Sequence, residues 1–476
     1  MSIEIIGVLL SALCLAAMFH SRVAALTVLC VATLFQASAA ITLHSLGGSP
    51  IPPGYLMIVF LGLAILIRVG GAQRLLQTLD LNRPEFLLIL FVAWAIITAV
   101  FMPRLFSGMF EVFPLGADKP GKLLRQPIAP LTSNLAQSVY YVGDLAIFLM
   151  VGALILSLKS LRPIAIAVVV SVAFNILFVV IDMATYTTGT ASILDFIRNA
   201  GYVQRANDVV LGMKRVTGFF SETSSFSIHA MGLFAFTFRL WRGGVSIPYT
   251  GLLSLATFIA LVMSTSSTAY GALIIYLMIV LPRDFSRTDP TLPNGSGRVG
   301  RTSFLVSLIP FAGFLAAFAL ALRPDLLNPI EDMINEMLVN KLDSESGVER
   351  MEWNMLALQN VFDSYGLGVG LGSNRNSSFA IALISSTGII GVFLFLLFLA
   401  RVFGTNHRRI FMNRWAQEDK QIAAAARSGL IALLIAKSLS GGTSLGILFF
   451  VFAAMASYKI QDRPGAVSES HSSNGA

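Results

Sequence analysis

Long apolar runs separated by short polar breaks dominate this chain, and their length decides its class. They fall at 3–19, 23–43, 54–67, 86–102, 139–158, 164–186, 224–241, 250–263, 269–281, 304–322, 377–400, 423–436 and 446–458. A helix rises about 1.5 Å per residue, so about 17–25 apolar residues match the hydrocarbon thickness of a bilayer. The pattern predicts an all-α, polytopic transmembrane helical bundle, with the shorter runs leaving the count between twelve and fourteen spans. Composition agrees: 55% of residues are hydrophobic and 12% charged, against about 25% charged in a soluble domain. The first run follows Met-Ser-Ile-Glu without a basic leader and reads as a retained helix.

Charge then sets orientation. The 401–427 connection carries Arg401, Arg408, Arg409, Arg414, Lys420 and Arg427, which predicts a cytoplasmic location. Alternation places the other short basic connections on the same side, around Arg68, Arg74 and Arg83, around Lys159 and Arg162, around Arg239 and Arg242, and across 283–301. The net charge of +8 is therefore a topology signal and does not predict nucleic acid as a partner. Cys14 and Cys30 both fall inside predicted spans, and the five histidines are scattered, so neither a disulfide framework nor a metal spacing emerges. No cofactor is expected.

Three long connections face outward on this reading: 103–138, 187–221 and 323–376. The last carries nine acidic and four basic residues. It contains two predicted amphipathic helices. One starts near Asn328-Pro329. The other starts at Ser346, with Glu349 in a capping-box position and an apolar stripe of Val348, Met351, Met355, Leu358 and Phe362. These are expected to lie on the membrane surface as a lid. Domain organisation follows: 1–463 membrane domain, 323–376 a loop within it, and 464–476 a Ser-, Gly- and Asn-rich tail that reads as disordered and cytoplasmic.

Candidate chemistry clusters at the outer span ends. Arg350 lies off the apolar stripe of its helix, where a guanidinium offers planar donors to phosphate or pairs with a neighbouring glutamate. Gly366, Gly368, Gly370 and Gly372 form a turn without the Lys-Ser/Thr of a nucleotide loop; it reads as a helix-entry linker or as backbone that approaches an anion. Arg375 stands at the next helix start, facing lipid headgroups or a lipid-linked pyrophosphate. Upstream, RVTGFFSETSSFSIH places Arg215 before a helix, Glu222 at its mouth and His229 seven residues on, on the same face. Each of that pair reads as a structural group (a helix-dipole partner for Glu222, an interior hydrogen-bonded His229) or as an acid–base group. Arg205 and Lys214 add positive charge nearby. Asp144, Asp182 and Lys437 are expected in internal ion pairs.

The order Gly-Phe-Phe-Ser-Glu entering a helix, then SG…R…W, GLGVGLGS, Arg-Asn and a helix ending TGIIGVFLFLLF resembles the O-antigen ligase and polymerase family of bacterial envelope glycan synthesis. The resemblance spans about 215–398. It implies a GT-C-like bundle of about twelve spans with a large periplasmic loop between two late spans, in the bacterial inner membrane. It also implies a glycosyltransferase using an undecaprenyl-pyrophosphate-linked oligosaccharide, with Arg215 and Arg350 on the pyrophosphate, Arg375 a weaker third and Arg205 in support. Family ligases carry His-Asn after the glycine run; this chain has Arg375-Asn376 there, which favours a polymerase of repeat units for exopolysaccharide, capsule or O-antigen. A chain-length regulator is then a candidate partner. A diphosphate leaving group needs charge stabilisation, which arginines supply, and the attacking hydroxyl needs a base, with Glu222 first and His229 second. The alternatives are an O-antigen ligase acting on lipopolysaccharide core or protein, and a transporter of lipid-linked sugars. No internal repeat marks a transporter, and the charges gather at span ends.

Overall fold

The computed structural model is an all-α bundle and describes residues 2–43, 49–79, 83–115, 125–201, 204–210, 213–285, 345–404 and 414–458. Its helices are α1 (Ile5–His20), α2 (Arg22–Ala32), α3 (Pro53–Leu66), α4 (Gly71–Gln77), α5 (Pro84–Leu105), α6 (Thr132–Leu158) and α7 (Arg162–Thr187). After these come α8 (Thr223–Arg242), α9 (Thr250–Met263), α10 (Ser267–Phe285), α11 (Glu345–Asp363), α12 (Phe379–Phe403), α13 (Arg414–Leu439) and α14 (Ile447–Ser457). The expected span at 304–322, the helix near Asn328 and the tail at 464–476 lie outside the described residues.

Among the described residues, five helices are long and apolar enough to cross a membrane: α5, α6, α7, α12 and the Gln417–Leu439 part of α13. The chain is therefore a multi-pass membrane protein by its helices. The expected spans at 3–19, 23–43, 250–263, 269–281 and 446–458 fall on shorter apolar helices, and α3 bends by 109° into α4. α8 has a different character. Nearly every residue from Phe226 to Thr237 is buried, because neighbouring helices surround it. It lies against α13, where Gly232 brings its backbone so close that an added Cβ would sit 2.6 Å from Leu433 Cγ. Gly429 lets Phe452 of α14 approach α13 in the same way. Small residues at these crossings replace the hydrophobic driving force that lipid cannot supply between helices.

Two expected spans are interrupted. The run at 23–43 is helical only to Ala32; residues 33–40 then unwind but stay largely buried. Their polar groups find partners inside the protein: Ala37 N–H donates to Phe219 O (3.0 Å), Ala39 N–H to Asn199 Oδ1 (2.8 Å) and Ala40 N–H to Ile51 O (2.8 Å). Irregular backbone at such depth survives only when protein shields it from lipid. The run at 377–400 breaks at Gly388, whose φ of 65° and ψ of −169° lie outside the helix.

The glycine loop fills that break. Val369 N–H donates to Ser385 O (2.8 Å), Gly370 N–H to Ser386 O (3.1 Å) and Ile389 N–H to Gly366 O (2.9 Å). All four loop glycines have positive φ, and a Cβ on Gly368 would lie 2.7 Å from Gly388 N. The loop is thus a packed plug among α5, α6 and α12. The amides of Gly366, Val369 and Gly370 are bonded to helix carbonyls and that of Gly368 to Ser364 Oγ.

The helix ends sort into two sets. One is basic: Arg162 pairs with Glu418, and its Nη2 donates to Ser246 O (2.8 Å). Arg22, Arg68 and Arg74 also lie close enough to repel. The opposite end gathers the long connections and three small antiparallel pairings: β1 (Ser2–Ile3), β2 (Ile41–Leu43) and β3 (Ser49–Ile51); β4 (Glu111–Val112) with β5 (Gln126–Pro127); and β6 (Val209–Val210) with β7 (Met213–Lys214). α11 lies at this end and leaves Val348, Met351, Met355 and Phe362 exposed, which matches the predicted stripe. Arg350 sits off that stripe, as expected.

Candidate functional site

A buried carboxylate organises the entrance to α8. Asp182, near the end of α7, is 1% exposed. Its Oδ1 receives Arg198 Nη2 at 2.5 Å. Its Oδ2 receives Lys214 Nζ at 2.6 Å, Thr217 Oγ1 at 3.2 Å, and the amides of Thr217 and Gly218 at 3.3 and 3.1 Å. The connection from α7 to α8 is thereby folded down onto the bundle. The expected ion pairing of Asp182 holds, and Lys214 is absorbed by it and so is not part of a free basic patch. Burial lowers the Lys214 ammonium pKa, and Asp182 opposes that shift.

This anchoring presents the next residue, Arg215, to a small pocket. The β6–β7 hairpin sets its backbone, with Arg215 N–H donating to Asp208 O at 3.0 Å. Arg215 Nη2 donates to Thr265 O at 3.1 Å. Arg205 is fixed by its own amide, which donates to Ser221 O at 2.8 Å. Arg350 arrives from α11 and donates from Nη1 to Ser440 Oγ at 3.3 Å. Arg205, Arg215 and Arg350 line one cavity of about 50 Å³ together with Asp208, Glu222, Thr223, Ser224, Ser266, Ser267 and Thr268. Two segments far apart in sequence, the α7–α8 connection and α11, thus deliver three guanidinium groups to one place. Burial lowers the Arg215 pKa; Asp208 and Glu222 raise it, while Arg205 and Arg350 lower it further.

Glu222 is the residue that starts α8, and its carboxylate accepts the Ser224 hydroxyl. Of the two acid–base candidates, it is the one in the arginine cavity. His229 is not. Seven residues along α8 place it about 10 Å deeper. It lines a separate cavity of about 360 Å³ with Thr33, Gln36, Tyr55, Gln137, Tyr140 and Lys437 among others, and the two cavities share no lining residue. His229 Nε2 lies 3.5 Å from Thr33 Oγ1. The expected pairing of Glu222 and His229 on one face does not bring them to one site: Glu222 is the extended cap residue before α8, and Thr33, Phe35 and Gln36 of the unwound segment after α2 line the cavity of His229.

Arg375 also stands apart. Its guanidinium stacks over Trp353 at 4.8 Å from the ring centroid, and its amide donates to Phe113 O at 2.7 Å. It does not line the arginine cavity. Asp144 and Lys437 meet through Ser444 rather than directly: Ser444 Oγ donates to Asp144 Oδ2 (3.2 Å), and Lys437 Nζ donates to Ser444 O (2.8 Å). Tyr55 completes the carboxylate's shell at 3.0 Å.

Sequence reading missed the Ser264-Thr265-Ser266-Ser267-Thr268 run, which joins α9 to α10 and supplies one wall of the cavity. The signal was available: five consecutive hydroxyl residues between two apolar helices. Asp208 and Thr223 were missed as well. Chemically, the cavity offers guanidinium donors, hydroxyls and one carboxylate at a helix start, a set suited to an anion beside a proton acceptor. Searches of protein-family models, curated proteins and solved structures match nothing to this chain.

Proposed function

We propose that the protein is a glycan polymerase that joins oligosaccharide repeat units carried on undecaprenyl pyrophosphate, at the outer face of a bacterial inner membrane. The observation that carries this reading is the convergence of Arg205 and Arg215, from the α7–α8 connection, and Arg350, from distant α11, on one cavity with Glu222. The arginines hold the donor pyrophosphate and stabilise its charge as the glycosidic carbon–oxygen bond breaks; they need only be in place before the reaction. Glu222 takes the proton from the acceptor hydroxyl as that oxygen bonds to the anomeric carbon. The proton ends on the carboxylate, and the bond electrons leave on the pyrophosphate. The exposed apolar stripe of α11 rests at the membrane surface and delivers Arg350 to the headgroup level.

The test uses purified protein with lipid-linked repeats and no other acceptor. Elongation identifies a polymerase. Wild type that elongates only when a core or protein acceptor is supplied identifies a ligase. Arg215→Ala and Arg350→Ala should abolish elongation, and normal long products from both would sink the assignment.

A second reading, transport of a lipid-linked sugar, draws on a different observation. The unwound segments after α2 and before α14 and the break in α12 are discontinuities of the sort that line transporter sites. Two of them border the cavity that holds His229 and Lys437. Flipping of lipid-linked repeats across reconstituted vesicles, without elongation, would select it.

A further inference from the structure

We infer that the arginine cavity contains a subsite for a single phosphate group, built from the amino ends of α8 and α10 and the hydroxyls of Thr223, Ser266, Ser267 and Thr268. It rests on reading that cavity as an anion site and says which groups beyond the arginines make it one.

The first observation is where the backbone donors lie. The first helical bond of α8 is Phe226 N–H to Glu222 O (3.1 Å), and that of α10 is Tyr270 N–H to Ser266 O (3.0 Å). The amides of Thr223, Ser224, Ser267 and Thr268 therefore precede any intrahelical acceptor, and all four residues line the cavity. Two helix amino ends, each carrying about half a positive charge, face one small space.

The second observation is a set of unsatisfied side chains. Thr223 is 3% exposed and lines the cavity, yet its Oγ1 has no partner among the described residues. Arg215 Nε, on a residue that also lines the cavity, has no partner either, and nor does Oγ1 of the adjacent Thr265. Neighbouring hydroxyls show that this is not the rule here: Ser264 Oγ donates to Leu261 O (2.6 Å) and Ser227 Oγ to Thr223 O (2.7 Å). Buried polar atoms are rarely left unpaired, and those that are often mark a ligand. Thr265 also adopts φ of 46°, a left-handed conformation unfavourable for a β-branched residue. That turn aims its carbonyl at Arg215 and swings the start of α10 toward the cavity.

Size and charge select the ligand. A cavity of about 50 Å³ has room for a few water-sized groups, a scale that suits one phosphate better than a sugar ring. Three arginines against Asp208 and Glu222 leave one net positive charge, and the two helix ends bring it to about two. The second phosphate of a lipid pyrophosphate would then lie toward the cavity mouth.

The experiment measures binding of inorganic phosphate and inorganic pyrophosphate to the purified, detergent-solubilised protein by calorimetry. Nanodiscs containing polyprenyl phosphate or polyprenyl pyrophosphate form a second arm that separates free from lipid-borne phosphate. Thr223→Val and Thr268→Val should each weaken phosphate binding about tenfold or more, as loss of a hydrogen bond to a charged group predicts. Thr223→Ser should restore it, and Ser264→Ala, whose hydroxyl is already satisfied, should leave it unchanged. Equal binding by wild type and both valine variants, or no binding of any phosphate by wild type, overturns the subsite. If the valine variants bind phosphate and elongate like wild type while Arg215→Ala does neither, the subsite falls and the polymerase reading stands. If the binding pattern is as expected but wild type elongates nothing, the subsite stands and that reading falls.

Discussion

Asp182→Asn is the substitution whose consequence the structure fixes most tightly. It removes one negative charge from between two cations whose side chains are only 2% exposed at Lys214 and 8% at Arg198. The asparagine keeps the shape and one acceptor, but its amide nitrogen now faces a cation or a backbone N–H. Breaking a buried ion pair by removing one partner costs about 3–5 kcal/mol, because the other charge stays buried without compensation. Two cations share Asp182, and the connection holding them lies at the protein surface, where some water can enter on relaxation. A loss of about 3 kcal/mol is therefore expected. Lys214→Met should cost less, since Asp182 keeps Arg198, Thr217 and Gly218. The double variant should then be more stable than the sum of the two losses by at least about 1 kcal/mol, the signature of residues in one network. The assay is reversible denaturation of the four proteins in mixed micelles. Strict additivity, or an Asp182→Asn midpoint equal to wild type, would refute the idea that Asp182 is the anchor of this connection. The functional corollary is that Asp182→Asn weakens phosphate binding although Asp182 does not line the cavity, because Arg215 is held by its neighbour Lys214.

Three further outcomes are expected. Gly368→Ala should destabilise the protein by about 2 kcal/mol or more, since its φ of 84° disfavours a side chain and the new Cβ would meet Gly388 N at 2.7 Å; Gly442→Ala, with nothing within 4 Å, should be near neutral in the same melt. Arg375→Ala should destabilise the protein by at least about 1 kcal/mol, the stacking on Trp353 being lost, and should leave phosphate affinity close to wild type, in contrast to Arg350→Ala. A cysteine placed at Tyr365, 84% exposed at the arginine end, should react with a membrane-impermeant maleimide on intact cells, whereas one at Val69, 99% exposed at the basic end, should react only after permeabilisation. The native Cys14 and Cys30, at 0% and 2% exposure, should give little background; the reverse labelling pattern would invert the orientation drawn from the arginines.

The class, the bundle and the inventory of charges were legible in the order of residues alone. Run length and hydropathy are local quantities, and the bilayer reads them directly. The amphipathic α11 was equally legible, because a 3.6-residue period needs no tertiary partner to be seen. The charge pattern placed Arg205 and Arg215 in one outer connection and Arg350 in another, so all three were expected on the same side of the membrane. What the order of residues did not determine was where apolar runs stop being helical. The runs at 23–43 and 377–400 are apolar enough to read as unbroken spans, but partners outside them satisfy the irregular backbone: Phe219 O and Asn199 Oδ1, distant in the chain, for the first, and the glycine loop for the second. Nor did it separate His229 from Glu222, or Arg375 from Arg350. Helical periodicity assigns a face, while only packing decides what covers that face. The hydroxyl run at 264–268 shows the same limit from the other side: five small polar residues read as a turn until the fold sets the start of α10 against the start of α8, with three arginines between them.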